Sequence, residues 1–136
     1  MSTESVLVAV ATALHRHMMP RARAEGIRWS ALAVLADLQT HGTLTQRELA
    51  SRQDVTPATM SLLVRELRAG HLIEERPDPD DARRRRLYIT AGGRGRLAED
   101  RERLAASLPG TISALDPDEQ AVLAAALPIL QRVLEK

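Results

Sequence analysis

The chain has no cysteine and no phenylalanine among its 136 residues, and only one Trp and one Tyr. Without cysteine there is no disulfide, no thiolate metal site and no thiol redox chemistry. So few rings offer little to stack a flat ligand against. Lysine is nearly missing as well: Lys136 is the only one, so almost all positive charge is arginine. No apolar run approaches the ~18 residues a membrane helix needs, and the N-terminus shows no basic stretch followed by an apolar one. The expectation is a soluble, cytoplasmic protein with no membrane partner. Enzyme signatures are missing too, among them Ser-x-x-Lys, Gly-x-Ser-x-Gly, His-Glu-x-x-His and the P-loop. Gly92, Gly93 and Gly95 lack both the Gly-x-Gly-x-x-Gly spacing and a following Lys-Ser/Thr, so they do not form a nucleotide cradle. His15 and His17, two apart on a helix, point ~200° from each other, and His41 and His71 lie near other helix ends. No catalysis, cofactor or metal is expected.

What remains is an ordinary globular composition, 44% hydrophobic and 27% charged, of single-domain size. The net charge is only +1, but it is unevenly spread. Residues 43–96 hold 11 Arg against 8 Asp and Glu, while residues 97–136 hold 4 basic against 7 acidic. Nucleic-acid binding depends on such local charge rather than on the total.

Residues 43–95 organise the rest. Thr45 caps a short helix, with Glu48 three residues on in capping-box position. Thr56 caps the next helix, with Pro57 at its first position, where a missing N–H costs nothing. Only residues Ser51 to Val55 separate the two, so they must cross steeply, as in a helix-turn-helix. In the second helix Met60, Leu63, Val64 and Leu67 form the core stripe. The opposite side carries Ala58, Leu62 and Arg65, flanked by Thr59, Ser61 and Arg68. Small, hydroxyl and guanidinium groups on one face suit a DNA major groove, although a polar outer face is also what any amphipathic helix has.

A hairpin follows. Leu72–Arg76 and Arg86–Thr90 alternate as strands, and Pro77 and Pro79 should stop their pairing so that the loop between projects. Four consecutive arginines, Arg83 to Arg86, close that loop and cannot be core. Asp78, Asp80 and Asp81 could simply neutralise them in solvent; the other reading is a wing whose arginines meet phosphates and the narrow minor groove.

Leu44-Thr45-x-x-Glu48-Leu49-Ala50, Thr59-Met60-Ser61, Gly70-x-Leu72-Ile73-x-x-Arg76, Asp81-Ala82-Arg83 and Ile89-Thr90-x-x-Gly93 together resemble the MarR family of winged helix-turn-helix regulators. The resemblance is dense over residues 43–95 and consistent in length and helix pattern over the whole chain. It implies a mainly α fold with a small β-wing: a winged helix-turn-helix lobe, residues 28–95, flanked by dimerisation helices at 3–24 and 96–136. It further implies a homodimer on double-stranded, palindromic DNA, often released by a small-molecule effector. Asp81 and Arg83 fall on the family's wing motif, in which the Asp orients an Arg that enters the minor groove, and Arg76 matches the Arg ending the first wing strand. One departure is Leu62, where many members carry Arg; here a thymine methyl is the expected contact. The expected DNA-contacting set is Thr45, Thr56, Pro57, Ala58, Thr59, Ser61, Leu62, Arg65, Arg76, Asp81, Arg83, Arg84 and Arg85. The family's ligand pocket would fall where Leu14, His15, Met18, Trp29 and Leu32 converge, although Met and Trp there also suit plain core.

The flanks read as helices. Residues Ser5–Met19 place Leu7, Val10, Ala11, Leu14 and Met18 on one stripe, and Pro20 should end or bend the helix. Residues 28–41 turn Leu32, Leu35 and Leu38 inward and stop at His41-Gly42. Thr90 can cap a helix to about Leu108, broken by Pro109-Gly110. Asp116, Pro117 and Glu119 then open the last helix, in which Pro128 should introduce a bend. Its two apolar stripes, Val122, Ala126, Ile129, Val133 and Leu123, Leu127, Leu130, Leu134, exceed what one intrachain contact needs. Leu7, Val10, Leu14, Leu123, Leu127, Leu130 and Leu134 are therefore expected at a homodimer interface. A repressor's duplex contact should weaken with salt; a winged-helix co-regulator that binds protein instead would not show that.

Overall fold

The computed structural model describes residues 1–108, 110 and 112–135. The chain falls into two compact units, Met1–Ala106 and Ser107–Lys136. The first holds α1 (Thr3–Ala24), α2 (Trp29–His41), β1 (Thr43–Leu44), α3 (Gln46–Gln53), α4 (Pro57–Ala69), β2 (Ile73–Pro77), β3 (Arg85–Ile89) and α5 (Ala91–Ala106); the second holds α6 (Pro117–Leu134). No described helix is long and apolar enough to cross a membrane.

Local chemistry explains most boundaries. Thr45 accepts the Glu48 N–H (3.1 Å) while Glu48 accepts the Thr45 N–H (3.3 Å), so both orphan donors at the start of α3 are satisfied. Thr56 accepts the Thr59 N–H at 3.1 Å, and Asp116 accepts the Glu119 N–H at 2.8 Å. The link between α3 and α4 is shorter than the sequence suggests. Helix α3 runs on to Gln53, and Asp54 turns the chain in the left-handed region (φ 52°), which a short polar side chain tolerates.

Pro20 does not end α1, which continues to Ala24. The turn beyond it is held from outside: Met18 and Ala22 are buried, and Arg103 of α5 donates to the Glu25 carbonyl (2.5 Å) and carboxylate (2.7 Å) at the helix end. Packing and this clamp offset the hydrogen bond that proline removes.

The hairpin is part of a three-stranded antiparallel sheet, ordered β1-β3-β2. Strand β1 went unread in the sequence; it pairs Thr43 with Tyr88 and Leu44 with Leu87. Pro77 does not stop pairing either. It sits at the last register position of β2, opposite Arg85, where the absent N–H is tolerated at the strand end.

The core of the first unit gathers Val34, Leu35 and Leu38 of α2, Leu49 of α3, Met60, Leu63, Val64 and Leu67 of α4, Ile73, Leu87 and Leu97. The α4 stripe expected from helical spacing is thus the buried one. Gly93 lets α5 approach the sheet: a Cβ there would lie 2.1 Å from the Leu72 carbonyl oxygen. Thr90 ties the same corner by donating to His71 O (2.7 Å) and accepting the Gly93 N–H (3.0 Å). Pro109, expected to break α5, lies outside the described residues.

Candidate nucleic-acid interface

Burying the α4 stripe leaves Ala58, Thr59, Leu62 and Arg65 exposed, with Ser61 half-buried at their edge. Leu62 is 55% exposed. A leucine among small and polar neighbours gives this outward face one apolar contact point. Arg65 has no side-chain hydrogen bond or ion pair among the described residues, so its guanidinium is available. The Thr56 hydroxyl caps α4 and also donates to Thr59 Oγ1 (3.0 Å), which holds both threonines at the helix start. Pro57 is exposed beside them. Thr45 is half-buried, its oxygen engaged in the α3 cap.

The wing tip is ordered by a carboxylate. Asp81 Oδ1 accepts both the backbone N–H (3.0 Å) and Nε–H (3.3 Å) of Arg83, and its carbonyl accepts the Arg84 N–H (2.9 Å). Arg83 is nonetheless 92% exposed along its side chain. The result is a projecting guanidinium with a fixed root. Arg84 beside it has no side-chain partner among the described residues. Arg85 Nε donates to Glu75 (2.7 Å), and the other oxygen of that carboxylate takes Arg68 of α4 (3.3 Å). Arg76 pairs with Glu74 and lies over the Tyr88 ring, 4.7 Å from its centroid, a cation–π contact that directs its side chain.

The fourth arginine departs from the sequence expectation. Arg86 is only 25% exposed and points inward. It donates to Asp78 (3.1 Å), to the Thr43 hydroxyl and to the Thr43 carbonyl (3.4 Å), and approaches Glu48 at 3.9 Å. A guanidinium can be largely enclosed when it has this many acceptors. Asp78 is buried at the wing base and accepts the Asp80 N–H at 2.8 Å. That backbone N–H, together with the Arg86 hydrogen bond and charge, outweighs burial and holds the Asp78 carboxyl below the usual carboxylate range. Asp78 is therefore a structural partner and not a diffuse counter-charge for the loop. Sequence reasoning missed this network because Thr43, Glu48, Asp78 and Arg86 are brought together only when β1 pairs with β3.

Of the expected ligand-pocket residues, His15 and Trp29 meet edge-on with ring centroids 6.5 Å apart. Met18 is buried, Leu32 half-buried, and Leu14 exposed. Among the residues expected at a dimer interface, Val10, Leu14, Leu123, Leu127 and Leu134 are exposed, while Leu7 and Leu130 are half-buried. Among the described residues no three His, Asp or Glu side chains cluster in a way that could hold a metal ion.

Comparison with known proteins gives this geometry a context. The sequence model of the MarR family matches residues 25–84, a span that contains α2, β1, α3, α4 and β2 together with the wing tip up to Arg84. Among curated proteins none matches the sequence. The fold is shared with wild-type MarR from E. coli (TM-score 0.75, 19% identity, 96% of each chain) and with YusO from Bacillus subtilis (TM-score 0.67, 24% identity, 97% of this chain and 99% of that one). It is also shared with a mutant of S. aureus MepR solved bound to an oligodeoxyribonucleotide (TM-score 0.62, 23% identity, 98% of this chain and 99% of that one).

Proposed function

With residues 25–84 matching the MarR family on a fold shared with MarR itself, we propose that this chain is a sequence-specific DNA-binding transcriptional regulator, a repressor acting as a homodimer on an inverted-repeat operator. Members of that family are transcriptional regulators and not enzymes. The observation that carries the reading is the pairing of two exposed features: the outward face of α4 around Leu62 and Arg65, and the projecting Arg83 rooted by Asp81. In this reading α4 enters the major groove, where Arg65, Ser61 and Thr59 reach base edges and phosphates and Leu62 meets a thymine methyl. Arg83 enters the adjacent minor groove, with Arg84 and Arg76 on the backbone, while Arg85, expected among the duplex contacts, stays paired with Glu75 beside them. Thr45, Thr56, Pro57 and Ala58 sit where helix starts approach phosphates. Two copies related by a two-fold axis place their α4 helices ~34 Å apart, one turn of duplex.

A small-molecule effector fits the same scheme. A ligand seated among Leu14, His15, Met18, Trp29 and Leu32, at the α1–α2 junction, would bias the spacing of the paired lobes and release the duplex. The His15–Trp29 edge contact supports this location.

The test is a mobility-shift titration of the purified protein against the duplex flanking its own gene. Affinity should fall steeply with salt, and Arg83→Ala should weaken binding by roughly 10-fold or more, the ~1–3 kcal/mol of a lost groove contact. No shift at low salt, or a shift indifferent to Arg83→Ala, would instead favour a winged-helix co-regulator that docks on protein.

A further inference from the structure

We propose that Glu75 is a specificity-determining residue, a carboxylate set between α4 and the wing that keeps Arg68 and Arg85 from serving non-specific backbone contact. The inference rests on the DNA-binding reading and deepens it. Glu75 is 20% exposed along its side chain and engages a different arginine with each oxygen: Arg85 Nε at 2.7 Å and Arg68 at 3.3 Å. It lines a cleft of about 450 Å³ whose other polar walls are Gln46, Ser61, Arg65 and Arg68. Ser61 and Arg65 belong to the proposed reading face, so the clasp lies beside the surface that would meet DNA.

Counterion release is driven by cations that are not already neutralised within the protein. Arg65 and Arg84, with no partner among the described residues, are of that kind. Arg68 and Arg85 are not. For either to move to a phosphate, a carboxylate that is four-fifths covered must lose a donor, and a part-buried charge left short of hydrogen bonds is expensive. Backbone-only binding, which has no other source of affinity, therefore gains less than the arginine count implies. Base contacts by Arg65, Ser61 and Leu62 are untouched. Glu75 thus widens the gap between an operator and bulk duplex. A purely structural clasp predicts the opposite: its loss would loosen the wing and weaken every duplex alike.

Fluorescence-anisotropy titrations would compare wild type, Glu75→Gln and Glu102→Gln, the last being the same charge change at an exposed α5 position. The probes are a short mixed-sequence duplex and a duplex of equal length selected by the wild-type protein from a randomised pool. Glu75→Gln should bind the mixed duplex roughly 10-fold more tightly near physiological salt, with a log–log salt slope steeper by about 0.9 for each arginine released. The selected duplex should gain less, so the ratio between the two shrinks; Glu102→Gln should leave that ratio unchanged. Adding Arg68→Gln and Arg85→Gln to Glu75→Gln should abolish the gain. An unchanged or weaker hold on the mixed duplex overturns the proposal, as does a gain that survives loss of both arginines. Independently of how Glu75→Gln folds, Arg68→Gln with Arg85→Gln in the wild-type background should cost the mixed duplex less than Arg84→Gln; an equal or larger cost also refutes it. Wild type that selects no duplex from the pool and does not bind the mixed one at low salt refutes the DNA-binding reading itself, a result distinct from failure of the Glu75 effect alone.

Discussion

Individual side chains in the wing have different jobs despite near-identical sequence surroundings. Arg83 and Arg86 are three residues apart in one basic run, yet one is almost wholly exposed and the other is enclosed by Asp78, Thr43 and Glu48. Asp78 makes this network pH-sensitive. Because its folded-state pKa is depressed, chiefly by the Asp80 N–H and then by Arg86, it stabilises the fold fully above the ordinary carboxylate value and loses that contribution as pH falls through the folded value. Asp116, lowered by the N–H of Glu119, adds in the same sense. Denaturant midpoints measured from neutral pH downward should stay level and then drop below about pH 4, where unperturbed carboxylates begin to protonate. Asp78→Asn should make that drop shallower, and an unaltered acid limb would remove Asp78 as a cause. Two glycines of α5 offer a second residue-scale contrast. An Ala side chain at Gly93 would meet the Leu72 carbonyl oxygen at 2.1 Å and Ile89 Cγ1 at 2.7 Å, whereas at Gly95 nothing lies within 4 Å. Gly93→Ala should therefore cost about 3 kcal/mol in urea unfolding, since backbone cannot give way. Gly95→Ala should be neutral or stabilising by up to ~1 kcal/mol, the helix preference of Ala over Gly.

Helices were legible in the sequence because their ends are chemical statements made within four residues: Thr45 with Glu48, Thr56 with Pro57, Asp116 with Pro117 and Glu119 all form the caps their spacing implies. The core stripe of α4 was legible for a similar reason, since 3.6-residue periodicity is local information. Elements whose existence depends on distant partners were not. Strand β1 is two residues long and has no pattern of its own; it exists because Thr43 and Leu44 meet Tyr88 and Leu87. The continuation of α1 past Pro20 depends on Arg103, far along the chain. The candidate site divides the same way. The α4 face and the Asp81–Arg83 root follow from local sequence, while the Arg86 network and the Glu75 clasp required the sheet to form. A test at this scale is the α4 cap. Thr56→Ala should lower stability by about 1 kcal/mol and, by fraying the start of α4 where Ala58 and Thr59 sit, weaken duplex binding. Thr56→Ser, which keeps the acceptor, should restore both; weak binding by the Ser variant would assign the methyl group, and not the cap, to the effect.

For the molecule as a whole the informative feature is the exposed apolar surface of α1 and α6. Helix α6 has no buried residue, although Val122, Leu123, Leu127, Ile129, Val133 and Leu134 make it one of the most apolar stretches present, and Val6, Val8, Val10 and Leu14 of α1 are exposed too. A monomer would carry this surface at roughly 25 cal/mol for every Å² kept in water, which is why such faces belong to interfaces. We infer that they are covered by the same faces of a second copy, the arrangement that the proposed inverted-repeat operator requires. Sedimentation equilibrium of the full chain should then give twice the monomer mass at micromolar concentration, and the thermal midpoint should rise with protein concentration, because a dimer that folds and associates together is stabilised by mass action. Leu127→Asp combined with Leu123→Asp places two charges in that face and should shift the equilibrium to monomer, with a midpoint independent of concentration. On duplex DNA the double variant should keep weak, salt-sensitive binding through a single lobe and lose preference for a two-site operator over an isolated half-site. If it stays dimeric and retains that preference, the copies are joined by another surface, and the spacing of the two α4 helices must be derived from there instead.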